Sequence, residues 1–120
     1  MGYESRVYIV QEFEDGWVWE NGMRSASIIA EFNLCCVEQE VLDVFKSNAE
    51  YCLIEKDEFI TTDNYGAPLK CADIMALYNA IEYGKYWRTT ALKEYLHGII
   101  NTRDIVTYGF GNLKAYHFGY

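Results

Sequence analysis

The chain has 120 residues, of which 51% are hydrophobic and 23% charged, and this is the size and composition of one globular domain. Its formal net charge is −8, and a surface of that sign repels phosphate, so we expect no direct nucleic-acid partner. The sequence contains neither an apolar stretch of membrane-spanning length nor an apolar signal-peptide core, and we therefore expect a cytosolic protein with no membrane partner.

The first third of the chain favours strands and tight turns. Alternating residues predict a strand over residues 5–13 that is apolar on both faces. Glu14-Asp15-Gly16 and Asn21-Gly22 have the composition of tight turns, and a short extended piece is expected between them at residues 17–19. A second strand is predicted over residues 24–35, and its core-facing side chains share the even positions, namely Ile28, Ala30, Phe32 and Leu34.

In the middle of the chain the spacing of apolar residues changes from strand-like alternation to helical periodicity. Residues 38–48 have apolar side chains at helical spacing and acids in the first turns, which predicts a helix. Short strands are predicted at residues 51–55 and 59–62 around a Lys56-Asp57 turn. Asp63-Asn64-Tyr65-Gly66 has the composition of a further turn.

The second half predicts two helices and two strands. Residues 71–83 and 91–101 each carry an apolar stripe, and Thr90 is the expected N-cap of the second helix. Residues 104–110 and 113–120 are expected to form a closing hairpin. The strands come mostly in hairpin pairs, so we predict an α+β fold in which an antiparallel sheet built from hairpins packs against about three helices.

Catalytic signatures are scarce. The four cysteines (Cys35, Cys36, Cys52 and Cys71) have no Cys-x-x-Cys spacing, and we interpret them as buried free thiols with no metal or cofactor. His97 and His117 are the histidines that could serve a nucleophile or a metal. A small enzyme or ligand-binding domain that combines Cys or His with a carboxylate stays open as an alternative.

Charge and aromatic residues are distributed in a way that suggests a protein-binding surface. Residues 1–63 hold 14 acids and 4 bases, a balance of −10, whereas residues 64–120 hold 4 acids and 6 bases, a balance of +2. Aromatic residues make up 17% of the chain, and 11 of them are tyrosines. Tyrosine beside carboxylates on one face is the composition of a surface that binds a basic protein.

Three short motifs and the strand at residues 27–36 resemble small proteins encoded by phages and prophages of Gram-positive bacteria. The motifs are Gly2-Tyr3-Glu4-Ser5-Arg6-Val7-Tyr8, Asp63-Asn64-Tyr65-Gly66-Ala67-Pro68-Leu69 and His117-Phe118-Gly119-Tyr120. The resemblance implies a host-takeover or counter-defence role, as in anti-CRISPR proteins that present carboxylates where Cas9 expects DNA phosphate.

We therefore predict a non-enzymatic acidic binding protein, an inhibitor that occupies the basic nucleic-acid-binding surface of a host protein such as a CRISPR nuclease. Carboxylates would accept hydrogen bonds from Arg and Lys, and two tyrosines would anchor the contact. The residues predicted to contact this partner are Glu12, Glu14, Asp15, Glu38, Glu40, Asp43, Asp57, Glu58, Tyr65 and Tyr86. A homodimer, or a structural protein that self-associates through a sheet edge, stays open as a further alternative.

Overall fold

The computed structural model describes residues 5–34, 37–102 and 113–119, and seven strands and three helices follow one another along them. The strands are β1 (Ser5–Gln11), β2 (Ser27–Asn33), β3 (Ser47–Asn48), β4 (Leu53–Glu55), β5 (Glu58–Ile60), β6 (Lys70–Asp73) and β7 (Leu113–Gly119). The helices are α1 (Gln39–Leu42), α2 (Ile74–Ala80) and α3 (Trp87–Thr102). None of these helices is both long and apolar enough to cross a membrane.

Five of the strands form one sheet in the order β2-β1-β7-β6-β3, and every neighbouring pair is antiparallel. β7 lies at the centre, because it pairs with β1 along one edge and with β6 along the other. β4 and β5 form a separate two-stranded hairpin. The predicted α+β class, an antiparallel sheet with three helices, is confirmed.

The five-stranded sheet buries both of its faces. Val7 and Ile9 of β1 pack into a core that contains the helices, which we call the helix-side core. Tyr8 and Val10 pack into the core on the opposite face, which contains Leu53 of β4 and is called the hairpin-side core. Burial of one large apolar side chain contributes about 1.5–3 kcal/mol, so β1 stabilises the fold through both faces. The prediction of a strand that is apolar on both faces is confirmed, although the strand ends at Gln11.

β2 is an edge strand that contains a bulge. Ile9 pairs with Ala30 but Val10 pairs with Ile28, so Ile29 is an extra residue on β2. The bulge brings Ile28 to the hairpin-side core, whereas Ala30 packs against the helix-side core. The predicted common face is therefore wrong for Ile28, because a bulge reverses the alternation of a strand.

Two of the predicted helices are shorter than expected, because strands take part of their residues. α1 ends at Leu42, and Ser47 and Asn48 form β3. α2 begins at Ile74, since residues 70–73 form β6 and pair with β3 and β7. Backbone hydrogen bonds to partners that are distant in sequence decide both cases, so the predicted helix boundaries are wrong there.

Three further predictions require correction or lie beyond the described residues. α3 begins at Trp87, and Thr90 lies inside its first turn, where Thr90 Oγ1 accepts a hydrogen bond from Gly84 N (3.0 Å); it is not the N-cap. Residues 17–19 form no strand, because Val18 makes only an isolated bridge with Arg24. The last predicted strand corresponds to β7, while residues 104–110 of the expected hairpin lie outside the described residues.

The two ends of the β1–β2 pair lead to different parts of the molecule. At one end Gln11 pairs with Ser27, and residues 12–26 connect the two strands. At the other end lies Asn33, and Arg88 Nη1 of α3 donates a hydrogen bond of 2.8 Å to Asn33 O. The loop of residues 12–26 and the start of α3 therefore lie at opposite ends of the same pair of strands.

Candidate protein-binding groove

The loop of residues 12–26 has a tight hairpin at its centre. Trp19 N donates to Met23 O at 2.9 Å and Gly22 N donates to Trp19 O at 2.8 Å. Gly22 has a φ of 81°, which residues with a Cβ rarely adopt. Trp19 Nε1 also donates to Ser25 Oγ at 3.1 Å, which orients the indole ring. The predicted Asn21-Gly22 turn is confirmed.

An aromatic groove opens between this loop and the β4–β5 hairpin. Trp19 and Phe59 meet edge to face, with ring centroids 5.3 Å apart and an interplanar angle of 76°. The groove measures about 760 Å³ and is lined by Trp17, Val18, Trp19, Glu20, Asn21 and Phe59. Trp17 is 74% exposed and Phe59 is 47% exposed. Clustered aromatic rings that face solvent in a concave surface are typical of a binding site.

Acidic residues lie close in sequence to the residues that line this aromatic surface, and one of them lines it. The loop contributes two exposed acids shortly before Trp17 and one acid that lines the groove. The hairpin contributes two exposed acids directly before Phe59. These five acids are Glu14, Asp15, Glu20, Asp57 and Glu58. We call the lining residues together with these acids the acidic groove.

The turn between β4 and β5 fixes the acids on the hairpin side. Lys56 and Asp57 have φ values of 51° and 64°, and two consecutive left-handed residues are what a type I′ turn requires. Glu55 and Glu58 pair directly across the turn. The predicted Lys56-Asp57 turn is confirmed, and it holds several acids at one end of the hairpin.

Glu12 differs from the neighbouring acids because its carboxylate accepts a hydrogen bond from a buried side chain of the sheet. The buried hydroxyl of Tyr116 in β7 donates a hydrogen bond to Glu12 Oε2. Burial, and then this hydrogen bond, raise the pKa of Tyr116 far above its ordinary value. Glu12 and Glu14 also raise the pKa of Tyr51, for which burial is the main cause.

The three predicted acids at α1, Glu38, Glu40 and Asp43, lie apart from the acidic groove. α1 packs into the helix-side core, whereas β4 packs into the hairpin-side core on the other face of the sheet. Glu38 forms an ion pair with Lys85 at 3.7 Å, and its side chain is only 10% exposed. Glu40 and Asp43 are exposed. The ten predicted contact residues therefore do not form one surface.

The two predicted tyrosines lie in different parts of the fold. Tyr65 is exposed in the turn after β5, where Asp63 Oδ1 accepts hydrogen bonds from Tyr65 N (2.8 Å) and Ala67 N (3.1 Å). This confirms the predicted turn. Tyr86 is exposed directly before α3. Whether either tyrosine contacts a partner stays a prediction.

A second cleft of about 370 Å³ borders Phe59 and contains Arg6. The Arg6 guanidinium lies 5.3 Å from the ring centroid of Phe118 and donates to Tyr8 Oη at 3.2 Å. Tyr8 Oη in turn donates to Glu55 at 3.0 Å. The charged residues that line this cleft are two bases and two acids, namely Arg6, Lys56, Glu55 and Glu58. Its charges balance, so it does not favour a ligand of either sign.

His117 and Cys52 are buried, and Cys71 is partly buried. His117 shares a hydrogen bond of 2.8 Å with Ser5 Oγ and packs against Phe45. Cys52 is a buried free thiol and Cys71 a partly exposed one, and burial raises the pKa of both, which keeps them protonated and weakens them as nucleophiles. Among the residues described here, no three or more His, Cys, Asp or Glu side chains are grouped to hold a metal ion. Cys35 and Cys36 lie outside those residues.

The aromatic part of the groove is what sequence reasoning missed. The predicted contact residues do not include Trp17, Trp19 or Phe59. The sequence predicts short extended segments there but does not indicate whether their side chains face solvent. A sequence signal does exist: Trp17-Val18-Trp19 lies between two turn motifs and is too short to bury both indoles.

Comparisons of the chain with protein-family models, with curated proteins and with solved structures find no match. The geometry of the acidic groove therefore carries the functional argument.

Proposed function

We propose that this protein is a non-enzymatic binding protein whose acidic groove holds a basic segment of another protein. The observation that supports the proposal is that Trp17 and Phe59 are exposed in one groove together with Glu20, and that four further exposed acids lie close to them in sequence. Aromatic rings supply contact area and attract guanidinium or ammonium groups through cation–π contacts. The carboxylates accept charge-assisted hydrogen bonds from the same groups.

The charge of the protein and the rings of the groove act over different distances. The −10 charge balance of residues 1–63, which includes acids apart from the groove, attracts a basic partner from afar. Steering of this kind raises association rates by about 10 to 10³-fold. Once the partner is bound, burial of the Trp17 ring would slow dissociation, because aromatic side chains at the centre of an interface carry much of the binding energy. The groove therefore suits a partner whose surface combines Arg or Lys with apolar side chains.

We further propose that the partner is a host protein with a basic nucleic-acid-binding surface, such as a CRISPR nuclease, and that binding takes place in the host cytosol. The phage resemblance of the sequence supports this context. A carboxylate-rich surface resembles DNA phosphate in charge, so the bound protein would exclude DNA from the channel that it occupies. Inhibition would require no catalytic residue.

The test combines a defined nuclease with two matched variants. The groove variant Glu14→Lys/Asp15→Lys/Glu20→Lys and the control variant Glu40→Lys/Asp43→Lys/Glu94→Lys change the net charge equally, and all six positions are exposed. Wild-type protein and the control variant should slow target-DNA cleavage by a guide-loaded Cas9-type nuclease, whereas the groove variant should not. Equal inhibition by both variants would contradict a located binding surface.

A simpler probe tests the groove without assuming the partner. A short synthetic peptide that is rich in arginine and leucine, called the basic peptide below, carries the chemistry that the groove should bind. We expect it to bind wild-type protein more weakly as salt is added, because salt screens the charges. Affinity that does not change with salt would contradict an acidic binding surface.

A further inference from the structure

Trp17 in the acidic groove and Trp87 at the start of α3 are almost equally exposed, at 74% and 73%. Trp87 has a cation from its own chain, because the Arg88 guanidinium lies over the ring, 4.7 Å from its centroid. The same guanidinium donates from Nη1 to Asn33 O at 2.8 Å. Arg88 therefore makes two kinds of contact at once, one with the face of an indole ring and one with an oxygen.

The rings of the acidic groove have no such cation. Of the lysine and arginine side chains that the structure describes, none lies over the ring of Trp17, Trp19 or Phe59. Arg24, which belongs to the same loop, donates from Nε to Gly16 O at 3.2 Å instead. A cation that contacts these rings must therefore come from another molecule.

The acidic groove presents the two kinds of group that Arg88 contacts. Trp19 and Phe59 meet at an interplanar angle of 76°, with ring centroids 5.3 Å apart, so their faces enclose a corner of the groove. Trp17 lines the same groove with most of its surface in solvent. Glu20 also lines the groove and is exposed, so an oxygen acceptor accompanies the rings.

The other polar groups near these rings are engaged within the loop. Trp19 Nε1 donates to Ser25 Oγ at 3.1 Å, and Asn21 Oδ1 accepts from Met23 N at 3.0 Å. A lysine ammonium is compact and strongly hydrated, and its three donors would exchange water for ring faces and the Glu20 carboxylate. A guanidinium is planar and more weakly hydrated, stacks on aromatic faces and pairs with a carboxylate through two parallel hydrogen bonds.

We propose that the acidic groove selects arginine over lysine. A guanidinium of the partner stacks on the exposed face of Trp17 and donates to the Glu20 carboxylate, as Arg88 contacts Trp87 and Asn33 within the chain. This inference rests on the proposed function, because the arginine belongs to the basic segment that the groove holds. Arginine is also the side chain that nucleic-acid-binding surfaces favour.

The test compares the basic peptide with a lysine peptide, in which lysine replaces every arginine while length and charge stay the same. In fluorescence anisotropy, wild-type protein should bind the basic peptide about 10-fold more tightly than the lysine peptide. Trp17→Ala and Glu20→Gln should each reduce this ratio to about 2-fold or less, because each removes one of the two contacts. Both positions are exposed, so circular dichroism should show an intact fold.

A matched control separates selection from net charge. Glu40→Gln makes the same charge change as Glu20→Gln at an exposed position of α1, outside the groove, and should keep the wild-type ratio. In proton spectra of the bound basic peptide, the arginine side-chain resonances should move upfield with wild-type protein, because the face of an indole ring shields nearby protons. Trp17→Ala should abolish that shift.

The outcomes distinguish this inference from the proposed function. Equal affinity for the two peptides, or tighter binding of the lysine peptide, would overturn the selection of arginine and leave the proposed function in place. A wild-type ratio that persists in Trp17→Ala or in Glu20→Gln would also overturn it, since the selecting contacts would then lie elsewhere. Absence of binding by either peptide to wild-type protein would remove the proposed function and this inference together.

Discussion

The acidic groove and a second surface at the start of α3 expose similar rings in different electrostatic settings. The second surface, called the aromatic–basic patch, consists of Tyr83, Lys85, Tyr86, Trp87 and Arg88. In the patch, Arg88 lies over Trp87, and Lys85 pairs with Glu38. In the groove, Glu14 and Asp15 are exposed turn residues beside Trp17. The patch thus satisfies much of its own charge, whereas the groove presents its charge to solvent. Aromatic exposure alone would make the two surfaces equal, so the arrangement of charge is what distinguishes them.

The largest effect expected from this difference is on binding of the basic peptide to the groove variant Glu14→Lys/Asp15→Lys/Glu20→Lys. Three reversals place like charges opposite the peptide, so we expect an affinity loss of about 100-fold, or about 2.7 kcal/mol. The control variant Glu40→Lys/Asp43→Lys/Glu94→Lys should lose much less in the same isothermal titration. Equal losses would mean that total charge decides binding, and the distinction between the surfaces would fail.

Substitution of single tryptophans tests which aromatic rings contribute to binding of the basic peptide. Trp17→Ala should weaken binding of the basic peptide by about 2 kcal/mol, since exposed aromatic anchors become buried on binding. Trp87→Ala, an equally exposed position in the patch, should leave the affinity for the peptide unchanged. Fluorescence anisotropy of a labelled peptide measures both, and a larger effect of Trp87→Ala would reverse the assignment.

Glu12 and Glu14 are expected to differ in how much each contributes to stability, and Tyr116→Phe tests this difference. The substitution removes the hydroxyl that donates to Glu12, so we expect the free energy of unfolding to fall by about 1.5 kcal/mol. Glu14→Gln, at an exposed position, should change it by less than about 0.5 kcal/mol. Urea unfolding of the two variants makes the comparison. Similar small effects would show that Glu12 contributes no more to the free energy of unfolding than Glu14.

Alkaline pH should destabilise the fold through its buried tyrosines. Burial raises the pKa of Tyr116 and of Tyr8 above the ordinary value near 10. The folded state therefore holds these protons more tightly than the unfolded state. Their contribution to stability is complete below about pH 10 and is lost above it, by about 1.4 kcal/mol per pH unit for each tyrosine that only the unfolded chain ionises.

Absorbance of tyrosinate and circular dichroism, followed together above pH 10, check this prediction. Tyr116 and Tyr8 should ionise only as the fold is lost, because burial raises the pKa of both. Ionisation of these two tyrosines in the folded protein near pH 10 would contradict their burial.

The sequence predicted those parts of the fold that local chemistry decides. The alternation of β1 and the composition of the Lys56-Asp57 turn require no distant partner, and both predictions are confirmed. β6 was predicted as helix, because the strand depends on pairing with β7, where Asp73 meets Lys114 from 41 positions away. Such long-range pairing overrides local helical spacing.

The candidate site was predictable only in part for the same reason. Charge and turn composition predicted Glu14, Asp15, Asp57 and Glu58 at turns, and all four are exposed. Sequence could not show that Glu12 is bound by Tyr116, because these two residues are 104 positions apart. The exposure of the aromatic rings also depends on how the loop and the hairpin meet in space.

The three tryptophans of the chain provide the most direct test of the central claim, because each indole N–H gives a separate proton resonance. Trp17 and Trp19 lie in the acidic groove and Trp87 in the aromatic–basic patch. When dilute protein is titrated with the basic peptide, the account predicts that the Trp17 and Trp19 resonances shift and that the Trp87 resonance does not. A shift of Trp87 without Trp17 would contradict it.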